Sequence, residues 1–226
     1  MAFFRAQVFM NKRSNSSFDL HCRRCPRLSA FLDEVKADHP HYHCRPVAPF
    51  GAADPHLLIV GLAPGMHGAN ASGRPFTGDH AGILLYQTLY DFGFSTAPVS
   101  TSRDDGLQLL DCRITNAVKC LPPQNKPVGS EISTCNSFLQ AELQGLPEGA
   151  VVLALGSIAH QSVLRALGLK QKDYPFGHAA LHTLPGGLRL LDSYHCSRYN
   201  TQTRRLTEAM FRGVFQQARE LIEADD

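Results

Sequence analysis

The chain has 226 residues, 43% of them apolar, enough to bury roughly 70% of the surface its unfolded form exposes and to support a single domain over residues 1–226. Formal charge is only +2, so attraction to an acidic partner has to come from local patches, not from the field of the whole molecule. No apolar run approaches the ~20 residues of a membrane span, and Met1-Ala-Phe-Phe-Arg5 meets charge before a signal-like core develops, which places the expected protein in the cytoplasm.

Residues 1–17 carry no periodic apolar positions and read as a loose arm. Between Lys12 and Arg27 stand five basic residues (Lys12, Arg13, Arg23, Arg24, Arg27) against Asp19: either a solvated face or a phosphate-seeking patch. Within it lies Cys22-Arg-Arg-Cys25-Pro26, and from Arg27 to Ala37 the spacing of Leu28, Leu32 and Val35 predicts a short helix. A His- and Pro-rich stretch over His39–Pro55, containing Cys44, separates that helix from Leu57-Leu58-Ile59-Val60, an all-apolar run ending at Gly61 that reads as a strand buried on both faces. Leu85, Leu89 and Phe92 follow helical spacing. Further strands are predicted at Ile114–Val118, Val151–Leu155 and Leu188–Leu191, and further helices from Ser130 to about Gln144 and from Ser157 to Leu167. Four Arg stand against Glu208 between His195 and Arg212. The last helix is expected from about Thr203, with Leu206, Met210 and Val214 in one stripe and Phe211, Phe215, Ala218 and Ile222 in the next.

Strands alternating with helices imply right-handed crossovers and an α/β fold, a three-layer α/β/α sandwich around a central four-stranded parallel sheet. Ligands of such sheets bind beyond the carboxyl ends of the strands.

Seven cysteines, an odd number without secretory features, argue against a disulfide framework and for metal. Cys22 and Cys25 have the two-residue spacing at which a turn aims both thiolates at one point. Cys120 and Cys135 flank Leu121-Pro-Pro-Gln-Asn-Lys-Pro127, a rigid polar loop able to bring both sulfurs together. Four thiolates suit zinc or a [4Fe–4S] cluster, and spacing does not choose between them. Cys44 is a substitute ligand, whereas Cys112 and Cys196 read as ordinary strand or loop residues.

The segment Gly61-Leu-Ala-Pro-Gly-Met-His-Gly-Ala-Asn-Ala-Ser-Gly-Arg-Pro-Phe-Thr-Gly-Asp79 resembles the first motif of the uracil-DNA glycosylases, specifically the iron–sulfur family 5 (type b). Three further stretches agree in order: Asp105-Gly-Leu107, Ile114-Thr-Asn-Ala-Val-Lys-Cys-Leu-Pro-Pro-Gln-Asn-Lys-Pro127 and Ser193-Tyr-His-Cys-Ser-Arg-Tyr-Asn-Thr201. The match runs from about Cys22 to the final helix. The resemblance implies a monofunctional repair enzyme, expected to be a monomer, that hydrolyses the bond between deoxyribose and uracil or other deaminated bases in DNA. It also implies a structural [4Fe–4S] cluster on Cys22, Cys25, Cys120 and Cys135, favouring iron over zinc.

Such an enzyme has to swing the nucleotide out of the stack. The resemblance assigns Asn116, whose amide offers a donor and an acceptor, to the uracil edge, Phe76 to stacking on the base, and His195 to donation at the uracil O2, where negative charge collects as the base leaves. Asp79 is the anion for the sugar cation or the attacking water, with His67 as an alternative helper. As isolated residues, Asn116 also reads as a turn cap, Phe76 as core and Asp79 as a helix N-cap. Gly61, Leu62, Ala63, Pro64 and Gly65 are expected against the substrate's sugar and phosphate, and Ser197 and Arg198, with Tyr199, in the loop that enters the helix. Leu62 stands where the related family 4 bears a glutamate. Cys196 replaces the usual proline after the histidine, which predicts a less rigid loop. Gly65 and Met66 replace small alanines, and Met66 is expected to narrow the pocket or change base preference. Two other readings remain open: a metal-stapled module that senses altered bases without cleaving them, and a hydrolase of free nucleosides or nucleotides. A zinc deaminase is disfavoured because no His-x-Glu precedes a Pro-Cys-x-x-Cys pattern.

Overall fold

A computed structural model describes residues 18–224; the proposed arm at 1–17, with Lys12 and Arg13, lies outside them. Among the described residues six strands form one sheet: β1 (Phe50–Gly51), β2 (Leu57–Gly61), β3 (Cys112–Asn116), β4 (Val151–Leu155), β5 (Leu181–Thr183) and β6 (Arg189–Ser193), in the order β1-β3-β2-β4-β6-β5. The central four are mutually parallel and correspond to the four apolar runs. Two short antiparallel strands, β1 on β3 and β5 on β6, extend the edges and were not anticipated. Strand boundaries also move, β3 starting at Cys112 and β6 at Arg189. β3 ends at Asn116 although Ala117 and Val118 are buried, because those two bond instead to the Gly61 and Leu62 carbonyls in the turn beyond the ladder, and β6 extends to Ser193.

Among the described residues seven α-helices accompany the sheet: α1 (Pro26–Asp38), α2 (Ala69–Ser72), α3 (His80–Asp91), α4 (Gly129–Gln144), α5 (Ser157–Ala166), α6 (Arg198–Gln202) and α7 (Glu208–Glu223). Alternate residues of β2 point to opposite cores. Leu57 and Ile59 pack with Leu85, Leu89, Phe211 and Phe215 of α3 and α7, while Leu58 and Val60 pack with Leu139, Val163 and Leu164 of α4 and α5. Burial on both faces is what a parallel strand between two helical layers requires.

The last helix begins at Glu208, later than its apolar pattern suggested, because Thr207 caps it by accepting from the Met210 N–H at 3.2 Å. Leu206 is buried ahead of the helix, and Arg204 turns the chain there with φ +59°. Arg204 and Arg205 therefore lie in the connection between α6 and α7. The parallel register sets Gly61 beside Asn116 and Leu155 beside Ser193, so four strand ends converge on one rim.

Candidate active site

That rim holds a cavity of about 490 Å³ whose walls include Leu62, Ala63, Gly65, Phe76, Asp79, Asn116, His195, Ser197 and Arg198. Residues from four separate stretches of the sequence thus share one space, within the size range of small-molecule sites. Gly61 and Pro64 are not among the lining residues. Gly61 acts indirectly: a Cβ there would strike Asn116 Oδ1 and stand 2.8 Å from the Phe76 ring. Part of the wall was missed in the sequence. Leu155, Gly156, Ser157, Ile158 and Ala159 at the β4–α5 junction, with Ala81 and Asn125, complete it. A strand followed by Gly-Ser and a helix was the available signal, and Gly156 has φ +97°, a conformation that favours glycine.

Asn116 ends β3 and is nearly buried, and its Oδ1 has no hydrogen-bond partner. A buried amide oxygen left unpaired costs ~1–3 kcal/mol, so it is poised for a donor supplied from outside. His195 follows β6 by two residues, and burial pushes its imidazole down to about 4. At neutral pH it is an uncharged ring whose remaining N–H can donate. Its backbone is fixed by Asn200 Nδ2, which donates to the His195 carbonyl at 2.8 Å.

Asp79 occupies the N-cap position of α3 but makes no side-chain cap there. Its Oδ2 instead accepts from the Ala69 N–H at 3.1 Å, at the start of α2. Gly65 and Gly68 leave room for this arrangement, since a Cβ on either would collide with the carboxylate. Burial raises the Asp79 pKa, and the Ala69 N–H offsets this in part. Gly65 therefore serves the carboxylate by leaving it space.

Phe76 holds φ +58°, uncommon for a bulky residue, and strain of this kind gathers at functional sites. The surroundings impose it. Tyr86 Oη donates to the Pro75 carbonyl at 2.8 Å, Thr77 Oγ1 meets Ser100 Oγ at 2.7 Å, and buried Arg74 pairs with Asp105 at 2.6 Å and lies over the Phe50 ring. Burial of Asp105 works against its charge, but Arg74 and the N–H groups of Leu107, Thr101 and Ser102 outweigh it and hold the carboxyl well below the usual range. The Asp105-Gly-Leu107 motif thus braces the Phe76 turn from outside the cavity.

Two expectations are corrected. Met66 does not narrow the pocket; it packs with Leu32, Val35, Cys44 and Leu121 beside α1. His67 lies outside the cavity, its Nδ1 2.9 Å from Tyr42 Oη and its ring against His39 and Tyr42. Cys196 is wholly buried in the α3–α7 core, where burial pushes its thiol up to about 12.

On the far side of α4, Cys22, Cys25, Cys120 and Cys135 line a second, small cavity with Lys119 and Phe138. Cys25 precedes α1, Cys135 lies on α4, and the two helices are clasped by Arg27, which donates twice to Glu131 at 2.8 Å. Arg24 Nε lies 3.4 Å from Cys22 Sγ with its guanidinium over the Phe138 ring, and the Lys119 N–H points at Cys135 Sγ at 3.3 Å. Burial, and then the neighbouring sulfurs, push the Cys120 thiol far up; burial likewise raises Cys25 and Cys135. Four thiols massed in this way call for a cation. Among the described residues the one group of three candidate ligand atoms within 4.8 Å of one another is His160, His182 and Asp192. Four cysteine sulfurs around one small cavity suit zinc or a [4Fe–4S] cluster. Cys44 is not among them: it accepts from Asn70 Nδ2 at 3.5 Å.

Most described side chains of the basic clusters are engaged in ion pairs or ring contacts. Arg23 pairs with Asp33, Arg27 with Glu131 and Arg212 with Asp91, while Arg205 lies over the Tyr194 ring. Arg198 and Arg204 remain along a groove that leaves the cavity past Asp79, His80 and Val99.

Residues 48–219 match the family model described as the uracil DNA glycosylase superfamily. The chain is 46% identical over 205 residues to a type-5 uracil-DNA glycosylase of Thermus thermophilus, covering 88% of this chain and 93% of that one. It is 44% identical over 209 residues to a type-5 uracil-DNA glycosylase of Mycobacterium leprae, covering 88% and 91%. A type-4 uracil-DNA glycosylase of Thermotoga maritima is 34% identical over 110 residues, covering 48% and 49%. No helix among the described residues is long and apolar enough to cross a membrane.

Proposed function

This chain belongs to the uracil-DNA glycosylase superfamily, in its type-5 branch, and from that premise we propose how its own residues perform the excision. The protein is a DNA repair glycosylase that acts on uracil. The nucleotide is swung from the stack, at a cost of a few kcal/mol, and enters the 490 Å³ cavity at the rim of the sheet. Phe76 supplies the face on which the base stacks. Asn116 Oδ1, buried and unpaired, accepts from uracil N3–H while the amide N–H₂ donates to O4.

As the glycosidic bond lengthens, the base gathers negative charge and the sugar positive charge. His195, neutral at working pH, donates to the uracil O2, a donor placed where charge develops. Asp79, in the same cavity, stabilises the sugar cation and orients the attacking water, taking its proton as the new C1′–O bond forms. Leu62, Ala63 and Gly65 give the sugar a close backbone wall, with Gly61 and Pro64 shaping the turn that carries them. Ser197 and Arg198, at the start of α6, face the phosphates and the vacated position in the DNA. The same Asn116 edge, with Met66 turned away, leaves space for other deaminated bases.

Cys22, Cys25, Cys120 and Cys135 would hold a [4Fe–4S] cluster, which would add to the link between α1 and α4; Arg24 and the Lys119 N–H face the Cys22 and Cys135 sulfurs. The cluster is structural and takes no part in the excision. The protein acts on DNA as a monomer and as one domain.

The observation that carries this reading is the meeting of Asn116, His195, Asp79 and Phe76 in one cavity. Anaerobically purified protein, incubated with oligonucleotides bearing uracil, hypoxanthine or xanthine, is expected to leave alkali-labile abasic sites, with uracil cut in every case. A brown, iron-containing preparation is expected from the same sample. Uracil strands left intact by an iron-loaded, folded sample would reject the reading.

A further inference from the structure

At the opposite edge of the sheet, His160 on α5, His182 on β5 and Asp192 on β6 bring three ligand atoms within 4.8 Å of one another. We propose that they form a second metal site, separate from the four cysteines, for a late first-row divalent cation of the zinc type. The inference is independent of the glycosylase reading.

Three features point to a cation. Asp192 is fully buried, and a buried carboxylate requires a partner of opposite charge; among the described residues no Lys or Arg pairs with it. Its oxygens face imidazole nitrogens instead: Oδ1 lies 2.8 Å from His160 Nδ1 and Oδ2 lies 3.8 Å from His182 Nε2. These separations bracket the ~3.3 Å between ligand atoms around a tetrahedral zinc with bonds of about 2.0–2.1 Å. Second, His160 Nε2 donates to the Tyr174 carbonyl at 2.9 Å. A metal-bound histidine uses its other nitrogen in this way, fixing the ring and turning Nδ1 toward the ion. The Gly177 N–H, 3.4 Å from Asp192 Oδ2, orients the carboxylate likewise. Third, Phe176 and Tyr174 stand edge-on against the two imidazoles, a dry shell that strengthens electrostatic bonds inside it.

Two imidazoles and one carboxylate favour zinc-type ions over magnesium or calcium, which prefer all-oxygen sites. The Pro175 carbonyl, 3.1 Å from His182 Nε2, offers an oxygen for the fourth position. An ion here would fasten the three-residue edge strand β5 to β6 through Asp192, which stands three residues before His195.

The test uses the full chain, stripped with EDTA and then dialysed against zinc, alongside Asp192→Asn and His182→Gln. Wild type is expected to take up one equivalent of zinc with a rise in thermal midpoint, and each variant to bind at least tenfold more weakly. Cobalt in place of zinc is expected to give visible bands without thiolate charge transfer, which separates this site from the cysteines. His182→Gln, at the partly open edge, keeps the test informative if Asp192→Asn fails to fold. Wild type that takes up no zinc, or variants that bind it equally well, would overturn the proposal and leave a buried histidine–aspartate pair.

Discussion

Burial shifts both Asp79 and His195 toward their uncharged forms. Burial raises the Asp79 carboxyl, so its ionisation, and with it excision, is expected to switch on at a higher pH than an ordinary aspartate would allow. His195 behaves in the opposite sense: with its imidazole at about 4, it stays neutral throughout the working range and adds no alkaline limb. A pH profile of single-turnover excision checks both points, the account requiring one acid limb above the free-aspartate range. Stability follows from the same shift. Below about 6.5 the unfolded histidine binds a proton that the folded one refuses, so His195 is expected to lower stability as pH falls from there toward 4, an effect absent from His195→Gln. Asp79→Asn removes a charge that the fold disfavours while its amide oxygen can still accept from Ala69. Excision is expected to drop ~10²–10⁴-fold with no loss of thermal midpoint, and calorimetry beside the kinetic assay measures both.

At the scale of elements, the parallel strands were legible because two-sided burial writes a continuous apolar run. β2, for example, is buried at every residue. The ends were less legible. Ala117 and Val118 are as buried as β3 itself yet lie past its ladder, so hydrophobicity placed Asn116 too far inside its strand. β1 and β5, of two and three residues, are too short to carry a period. The motif residues came from a resemblance, and their roles did not follow from their types: Asp79 sits at an N-cap position, and only the fold reveals that its carboxylate turns back to Ala69. The wall at Gly156–Ala159 went unseen because a small residue and apolar neighbours at a helix start look like core.

The two cysteine pairs illustrate the same limit. Spacing suggested a turn and a loop, and the fold adds the Arg27–Glu131 clasp that joins α1 to α4. Cys25→Ser is therefore expected to lose iron and to lower the thermal midpoint, with α1 becoming protease-sensitive; iron analysis and limited proteolysis test this. Retention of full iron content would place the ligands elsewhere.

Across the whole molecule, weak net charge leaves DNA affinity to a few positions. Of the described arginines in the two basic clusters, Arg198 and Arg204 alone line the groove that leaves the cavity. Arg198→Ala is expected to weaken DNA binding and to shrink the log–log salt slope by about 0.9, the loss of one phosphate contact. Arg212→Ala, which breaks a pair with Asp91, is expected to leave that slope unchanged, and titrations at several salt concentrations compare the two. The central claim, that one cavity grips an extruded uracil by its edge while a neutral histidine receives its charge, is tested most directly by a crystal structure of Asp79→Asn with uracil-bearing DNA. The account predicts the base on Phe76, its N3–H and O4 on Asn116 and its O2 facing His195. A uracil still stacked in the DNA, or seated outside this cavity, would contradict it.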